Sequence, residues 1–388
     1  MSKKQKIEAK IVDQVPESHK PTKEEIVNKL IGELEKINKN ENKIYIWVMD
    51  SKNTPSGSQS YIYNLGYNLL ELGYNVEFLY QIEDDDEFVG VGDVLGEKYM
   101  TDIIHKNVKK DDIAIHISDI LIIPEIFSSM MHETKKMPCK RIILCQNFNL
   151  ITETLPIGVE FGSHGILDVI TTSERQKELL LEAMPYLKVN VIEPCISPLF
   201  FEKLSREKDL QISIVSSDRT YVNRIIKMFY LKYPIFKFIS FKHLANLPQE
   251  LFAEELEKSV ACVWYDYFTN FGYTPLEAMR CSTIPICVIP EEPTEWMLKD
   301  GGGLTDSVIW CSNLNSIHNA ISTVINTYIE DNIPMEFKNS MKKFNDKFTK
   351  EKQKEQIDIV FKQQINNKKT EIEEILNEYK TPIPLNKS

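Results

Sequence analysis

Short apolar runs alternate with helix-spaced apolar residues over most of the chain. Residues 43–49 form one such run, and a polar, serine-rich stretch follows it. Apolar residues then recur at helical spacing from Ile62 to Leu72, Gly73 comes next, and residues 75–80 are again apolar and rich in strand-forming side chains. A strand, a loop, a helix ended by glycine and a second strand make a βαβ unit, which predicts a parallel sheet.

The same alternation continues along the chain in two blocks. Further strands are predicted at 112–117, 141–145, 169–172 and 189–192 in the first block, and at 211–215, 236–241, 260–264, 284–289 and 308–310 in the second. Pro194, Pro198 and the charged stretch 202–209 interrupt the pattern between the blocks and predict a linker. We therefore predict an α/β protein with two Rossmann-like, doubly wound domains that face each other across a cleft.

The two ends of the chain lack strand patterns. Residues 1–42 are polar, with helix-spaced apolar residues from Ile26 to Leu34, and predict a helical extension. Residues 336–388 are rich in Lys and Glu and predict closing helices with a tail. Between them we place the first Rossmann-like domain at 43–195 and the second at 196–335.

Composition narrows the class of protein. A net charge of −11 argues against binding nucleic acid or anionic lipid over the whole surface, although a local basic groove remains compatible with it. No apolar run approaches the roughly 20 residues that span a bilayer, and no apolar segment follows the charged amino terminus, so we expect a cytoplasmic protein. Seven cysteines stand singly and indicate neither a disulfide framework nor a zinc site. The acidic residues 84–87 predict an exposed loop, not a metal site.

The loop after the predicted strand at 260–264 is the richest in candidate chemistry. Ligands of open α/β sheets bind beyond the carboxyl ends of the strands, and here an aromatic and polar loop leads through Gly272 to a helix predicted from Pro275. Glu277 then falls where a ligand at the helix start could reach it. Thr274 and Glu277 also have the spacing of a capping box, in which the carboxylate serves only its own helix. Both roles remain open on the sequence alone.

This segment resembles the signature E-G-F-G-x-P-x-x-E-A-M-A-C-G-x-P-V-I of retaining glycosyltransferases with the GT-B fold, in particular those similar to family GT4. The chain keeps Phe271, Gly272, Pro275, Glu277, Ala278, Met279, Cys281, Pro285 and Ile286. The resemblance implies that Glu277 binds the ribose hydroxyls of a nucleotide, with Phe271, Gly272, Tyr273 and Thr274 around the donor. The first Glu of the signature, which contacts the transferred sugar, falls on Thr269 here. Residues 43–195 would then hold the acceptor and residues 196–335 the donor.

The resemblance implies further donor ligands in the second domain. A departing diphosphate needs cations, which the family supplies after the first strand of this domain; Arg219 and Arg224 are the candidates here, with Lys227 a poorer one. Glu295 lies in a segment similar to the family's Glu-containing short helix with a Gly-rich turn. Purely structural roles are the alternatives. The arginines could be solvated charges on a helix, and Glu295 could belong to a helix with an ordinary Gly-rich exit.

The first domain offers weaker candidates. Gly57, Ser58 and Gln59 lie where the family has a Gly-rich stretch near the phosphates and the acceptor, although a plain helix start has the same composition. His116, at the end of a predicted strand, occupies a place where the family often has a catalytic histidine; a structural histidine is the alternative.

The function implied by this resemblance is transfer of a hexose or pentose from a nucleoside-diphosphate sugar, with UDP as the expected nucleotide, to an acceptor hydroxyl with retention. The donor is a co-substrate, and neither a metal nor another cofactor is required. Residues 236–244, together with the loop and helix at 271–279 and residues 293–297, resemble glycosyltransferases of tailed bacteriophages related to T4. This resemblance suggests double-stranded DNA with hydroxymethylated cytosine as acceptor. A surface glycan or lipid acceptor, a nucleotide-sugar epimerase and a non-catalytic nucleotide-sugar-binding protein remain alternatives. Neither βαβ start carries G-x-G-x-x-G, which counts against a dinucleotide oxidoreductase.

Overall fold

The structure is a computed structural model that describes residues 22–54, 56–83, 86–201, 208–267, 271–300 and 303–380. It contains two fully parallel sheets with helices on their faces. This is the predicted α/β class with two doubly wound halves.

The first sheet has seven strands in the order β3-β2-β1-β4-β5-β6-β7. Its strands are β1 Lys43–Trp47, β2 Asn75–Tyr80, β3 Ile104–Asn107, β4 Ile120–Pro124, β5 Lys140–Cys145, β6 Asp168–Thr171 and β7 Lys188–Val191. Its helices, with α1 ahead of the sheet, are α1 Lys23–Asn38, α2 Gly57–Glu71, α3 Gly92–Leu95, α4 Lys98–Thr101, α5 Ser128–Glu133, α6 Phe148–Thr154 and α7 Glu174–Ala183.

The second sheet has five strands in the order β12-β11-β10-β8-β9. Its strands are β8 Asp209–Val215, β9 Ser240–His243, β10 Ser259–Trp264, β11 Ile284–Val288 and β12 Ile309–Cys311. The helices of this half are α8 Arg219–Lys232, α9 Gln249–Lys258, α10 Tyr273–Arg280, α11 Leu314–Ile329 and α12 Met335–Lys342, and α13 Lys350–Lys380 follows them.

Helix α13 returns from the second half of the chain to the first. Ile357 and Phe361 are fully buried in the core that β1, β2 and α2 form, and Ile372 and Ile375 pack with Leu30 of α1. The amino-terminal helix that the sequence predicts is thus present as α1, and it lies against the end of the chain. Among the described residues, no helix is both long enough and apolar enough to cross a membrane.

The prediction of a strand at 112–117 was wrong, because this segment is a loop. The strand of that region is β4, whose five residues are all buried. Asp119 fixes the loop, since its carboxylate accepts hydrogen bonds from the backbone N–H groups of Lys43 and His116. The bond from Lys43, which is far away in the sequence, thus helps to hold residues 112–117 as a loop.

Two edge strands also differ from the sequence prediction. Strand β3 was not predicted, because Ile104 is exposed and the residues that follow it in this strand are polar. The strand expected at 236–241 begins only at Ser240, after a short 3₁₀ helix. Both strands lie at the edge of a sheet, where an alternating or continuous apolar pattern is weak.

Candidate functional site

The carboxyl edges of the two sheets face each other. Gly57, at the start of α2 in the first half, lies against the ring of Tyr273, at the start of α10 in the second: a Cβ added to Gly57 would be 3.1 Å from Tyr273 Cδ2. The Tyr273 ring packs against the apolar cores of both halves. The loops that follow β1 and β10 therefore meet, as expected for a ligand-binding cleft between two parallel sheets. The structure thus brings together two of the residues that the sequence singled out.

Gly272 immediately precedes helix α10 and has a backbone that only glycine adopts easily. Its φ is 74°, in the left-handed region, and an added Cβ would lie 2.6 Å from Met297 Cε and 3.3 Å from Trp296 Cζ2. The indole of Trp296 also donates a 2.6 Å hydrogen bond to the carbonyl of buried Phe271. Only glycine fits both this backbone conformation and this packing.

The helix start differs from the prediction. Helix α10 begins at Tyr273 with Gly272 as its N-cap, and no side chain caps it. Thr274 and Pro275 are therefore its second and third residues, so the expected start at Pro275 was wrong. Glu277 lies one turn inside the helix, and the capping box with Thr274 does not form. The capping role that the sequence left open for Glu277 is thereby excluded.

Glu277 is a half-buried carboxyl group at this junction. Its side chain makes no hydrogen bond with any residue that the structure describes, and burial raises its pKa to about 8. It is near enough to the Cys262 thiol and the Tyr273 hydroxyl to raise the pKa of both groups further. A carboxyl group held without a partner loses solvation on folding, and a hydroxyl-bearing ligand would restore that loss.

Glu295 joins the two halves of the molecule. It begins a 3₁₀ helix after β11, and its carboxylate oxygens accept hydrogen bonds from the backbone N–H groups of Glu174 (3.2 Å) and Arg175 (3.4 Å), at the start of α7. The Arg175 guanidinium donates to Glu292 at 2.9 Å, in the same segment as Glu295. In this conformation Glu295 lies in the contact between the two halves, and the donor contact that the sequence suggested stays a prediction.

The two candidate arginines lie at different positions along α8. Arg219 is its first residue, exposed at the carboxyl edge of the second sheet beside Asp218, which caps the helix by accepting from the Tyr221 N–H at 3.0 Å. Arg224 is exposed on the outer face of the helix, with Met228 one turn further on. Arg219 therefore lies nearer than Arg224 to the carboxyl edge of the second sheet.

The start of α2 supplies backbone donors. Gly57 and Ser58 are exposed in its first turn, and the N-cap residue Ser56 makes no side-chain hydrogen bond to that turn. Gln59 is buried, and its Oε1 finds no partner among the residues described. The N–H groups of a helix start favour anions, so this turn can contact a phosphate.

Two other candidates do not join this group. His116 precedes β4 at the amino edge of the first sheet, where its Nδ1 lies 3.6 Å from Glu33 Oε1 of α1. The premise that His116 ends a strand was wrong, and the residue lies at the edge opposite the cleft. Thr269 lies outside the described residues, so its contact with the transferred sugar stays a prediction.

The sequence reasoning missed Glu125, which follows β4 and is buried. Its Oε1 accepts hydrogen bonds from the N–H groups of Gln146 (3.0 Å) and Asn147 (2.9 Å), and burial raises its pKa to about 7. Its Oε2 is buried without a partner in the described part of the chain. A Glu directly after an all-apolar run was the available signal, but the strand prediction had missed that run.

Aromatic side chains line the carboxyl edge of the second sheet. The rings of Tyr221 and Tyr265 stack with centroids 3.7 Å apart, and Tyr265 meets Tyr267 edge-on at 5.2 Å. All three are partly exposed beside the start of α8. Such a surface can stack a nucleotide base.

A pocket opens at the carboxyl edge of the first sheet, between the ends of β1 and β2 and helix α5. Trp47 and Phe127 are the aromatic residues of its lining. Its described charged residues are predominantly acidic: Asp50, Glu83, Asp86, Glu87 and Glu133, with Lys52 as the cation. The pocket therefore disfavours a polyanion.

Metal binding and disulfide formation were not expected from the sequence. In the residues that the structure covers, no cluster of three or more His, Cys, Asp or Glu side chains could hold a metal ion. The seven cysteines all lie in this described part, are buried and form no disulfide.

Comparison with known proteins identifies the fold. No family model and no curated protein matches the chain. Among solved structures, a sucrose-phosphate synthase from Thermosynechococcus elongatus is similar over 84% of this chain and 100% of its own, with TM-score 0.59 and 13% identity. The pneumococcal O-GlcNAc transferase GtfA, in complex with UDP and GlcNAc, covers 84% of this chain and 99% of its own, with TM-score 0.57 and 10% identity.

A third similar structure is an alpha-glucosyltransferase in complex with UDP and a 13-mer DNA containing an HMU base. It covers 79% of this chain and 95% of its own, with TM-score 0.54 and 14% identity. Each of the three matches extends over both sheets of this chain, because it covers at least 79% of the residues. The chain therefore has the GT-B fold of these glycosyltransferases.

Proposed function

We propose that this protein is a glycosyltransferase that moves a sugar from a nucleoside-diphosphate sugar, with UDP as the nucleotide, to an acceptor hydroxyl. The observation that carries the proposal is the unpartnered carboxyl group of Glu277 at the junction of the two sheets, in the part of the chain that the structure describes. The glycosyltransferases of this fold that were solved with UDP support the choice of donor.

The roles follow from position. Glu277 accepts hydrogen bonds from the ribose hydroxyls, and the tyrosine pair Tyr221 and Tyr265 offers a face for the base. Arg219 and the N–H groups at the start of α2 neutralise the diphosphate. The donor would thus lie between the two sheets, with most of its contacts in the second half.

The reaction breaks the bond between the anomeric carbon and the diphosphate oxygen and forms a bond from that carbon to the acceptor oxygen. We propose retention, in which the acceptor attacks the face that the nucleotide leaves and its proton passes to the departing diphosphate. This pathway needs no side-chain nucleophile. It depends on stabilising the negative charge of the leaving group, which the cation and the helix start do.

For the acceptor, the acidic lining of the first-half pocket favours a hydroxyl on a molecule without phosphates near the reacting group, such as a glycan. A hydroxymethylated base in duplex DNA is the second candidate, since an alpha-glucosyltransferase of the same fold was solved with UDP and an HMU-containing DNA. A base flipped from the stack would reach such a pocket, but its flanking phosphates would meet the carboxylates.

The test is a donor screen with the purified protein, in which release of nucleoside diphosphate is measured with UDP-, GDP- and ADP-linked sugars. We expect release from UDP-sugars at about pH 8.5, where Glu277 is mostly ionised, at a rate that Glu277→Gln lowers at least about tenfold, because a hydrogen bond to a charged group is lost. Glu254→Gln, on an exposed face of α9, is the matched control and should leave the rate unchanged.

Three outcomes would contradict parts of the proposal. An intact donor that nevertheless binds indicates a binding protein, and an epimerised donor indicates an epimerase. Stimulation of release by hydroxymethylated duplex, but not by unmodified duplex, would replace the glycan acceptor with DNA. The anomeric configuration of the product, read by NMR, decides between retention and inversion.

A further inference from the structure

The outer face of helix α8 departs from the usual pattern of a surface helix. Val222, Ile225 and Phe229 are buried in the core of the second half, as expected for the inner face. On the opposite side, where polar residues are the rule, Met228 is 45% and Leu231 73% exposed.

The apolar surface continues past the end of the helix. Ile235, in the 3₁₀ turn that follows, is 73% exposed, and Phe238 is 57% exposed. We call Met228, Leu231, Ile235 and Phe238 the α8 patch. Single exposed apolar residues are normal, but a run of four large ones within one helix end and its turn marks an interaction surface.

The charge around the patch is opposite to that of the protein. Residues 219–243 contain six Lys and Arg residues and no Asp or Glu, in a chain with net charge −11. The exposed cations beside the patch are Arg224, Lys227, Lys232 and Lys237. Arg224, Lys227 and Lys237 form no ion pair with the residues that the structure describes, so their charge is uncompensated locally.

We propose that the α8 patch docks on an anionic lipid bilayer surface. Leu, Ile and Phe side chains enter the boundary between head groups and acyl chains, and flanking Lys and Arg side chains contact anionic head groups. Charge complementarity selects this partner: a basic and apolar surface on an otherwise acidic protein orients the protein on an anionic membrane.

Two other partners fit less well. A second copy of the chain in a symmetric contact would bring the same cations face to face, which is unfavourable. A nucleic acid would pair with the cations, but Leu231 and Ile235 would gain nothing from phosphates.

The docking surface is also separate from the cleft. Arg219 and Leu231 lie near opposite ends of α8, about 18 Å apart along the helix axis. The donor site at the start of α8 therefore stays accessible while the protein is bound to a membrane. Membrane docking through the α8 patch is independent of the proposed reaction, because the patch lies outside the cleft.

The experiment is co-sedimentation of the full chain with two kinds of vesicle, one of phosphatidylcholine alone and one that also contains about 30 mol% phosphatidylglycerol. We expect binding to the anionic vesicles only, and binding that weakens as salt is raised. Leu231→Ser with Ile235→Ser should lower the partition coefficient at least about tenfold, because the inserted apolar area is lost.

The matched control is Leu251→Ser with Ile359→Ser, which removes one exposed Leu and one exposed Ile elsewhere and should bind like the parent. Circular dichroism melting checks that each variant folds.

A second pair of variants tests the charges. Lys227→Gln with Lys237→Gln should lower anionic binding about tenfold, because two contacts with head groups are lost. Lys135→Gln with Lys136→Gln, in the first half, is the control and should bind like the parent.

The proposal is overturned if the parent does not bind anionic vesicles or if the α8 serine variant binds as tightly as its control. It is also overturned if the lysine variant, but not the α8 serine variant, lowers vesicle binding and the parent binds duplex DNA more tightly than vesicles. A dimer that the α8 serine variant dissociates would assign the patch to a second copy instead.

Discussion

The guanidinium of Arg175, at the start of α7 in the first half, lies 2.9 Å from the carboxylate of Glu292 in the second half. Beside this pair, Glu295 accepts hydrogen bonds from the first N–H groups of the same helix. Both contacts join the halves at one side of the cleft, while Gly57 and Tyr273 meet within it. Arg175, Glu292 and Glu295 are all partly exposed, so these polar contacts lie outside the apolar cores of the two halves.

The first prediction concerns the Arg175–Glu292 ion pair, which holds the two halves together at the cleft. Glu292→Gln should shift the protein toward open conformations about fivefold, because a half-exposed ion pair contributes up to about 1 kcal/mol. The measurement is Förster transfer between dyes on the two halves, with small-angle scattering as a check. Glu178→Gln is the control, since it removes an Arg175 partner within α7 at 3.2 Å and leaves the domain contact intact. Equal shifts in the two variants would refute the role of the pair in closure.

The second prediction concerns Gly272. Gly272→Ala combines a left-handed backbone with a Cβ 2.6 Å from the end of the buried Met297 side chain, so we expect it to lower the free energy of unfolding by about 2 kcal/mol. Gly73 also has a positive φ, but a Cβ added there would meet no atom within 4 Å. Gly73→Ala should therefore lower the free energy of unfolding by only about 1 kcal/mol. Urea unfolding measures both, and equal costs would show that the contact with Met297 relaxes freely.

The third prediction follows from the pKa of Glu277, which burial raises to about 8. The carboxyl group is neutral in the folded protein at about pH 6 and ionised in the unfolded chain, so its contribution to stability falls as pH rises from about 4.5 toward 8. Glu277→Gln should therefore flatten the decline of Tm over this range. The affinity of the parent for UDP should change in the opposite direction. If the ribose hydroxyls bind the ionised carboxylate, this affinity should rise as the pH increases through about 8.

Isothermal titration at about pH 6.5 and about pH 8.5 measures that affinity. The Glu277→Gln variant should bind UDP at least about tenfold more weakly than the parent at the higher pH and show no rise with pH. Glu254→Gln again provides the control. A rise with pH that persists in Glu277→Gln would assign the titration to another group.

Whether a strand could be predicted from the sequence depended mainly on how much of it is buried. Strands β1, β5 and β10 are apolar over most of their length and bounded by polar residues, so a local pattern reveals them. Strand β3 lies at an edge with Ile104 exposed, and its sequence carries no such signal. For β4, the neighbouring run at 112–117 is equally rich in isoleucine, and the long-range bond from Lys43 to Asp119 helps to make it a loop.

Only the local arrangement of the candidate site was predictable from the sequence. Gly272 and Glu277 lie close together because one loop and helix hold both, and their contact with a donor stays a prediction. The contact of Gly57 with Tyr273 joins positions that are far apart in the sequence, and no local pattern encodes it. The same holds for Glu295, whose partners at 174 and 175 belong to the other half of the molecule.

The last prediction concerns Glu125, whose Oε1 accepts two backbone hydrogen bonds and whose pKa burial raises to about 7. Glu125→Ala would leave the N–H groups of Gln146 and Asn147 unpaired and should cost about 2–4 kcal/mol. Glu125→Gln keeps the accepting oxygen and cannot ionise. The raised pKa means that the parent loses stability from this group as pH rises from about 4.5 to 7, so the advantage of Glu125→Gln over the parent should be larger at about pH 8.5 than at about pH 5.5. Urea unfolding at the two pH values measures the difference. An unchanged difference would mean that Glu125 is ionised in the folded protein throughout, with its second oxygen solvated rather than buried.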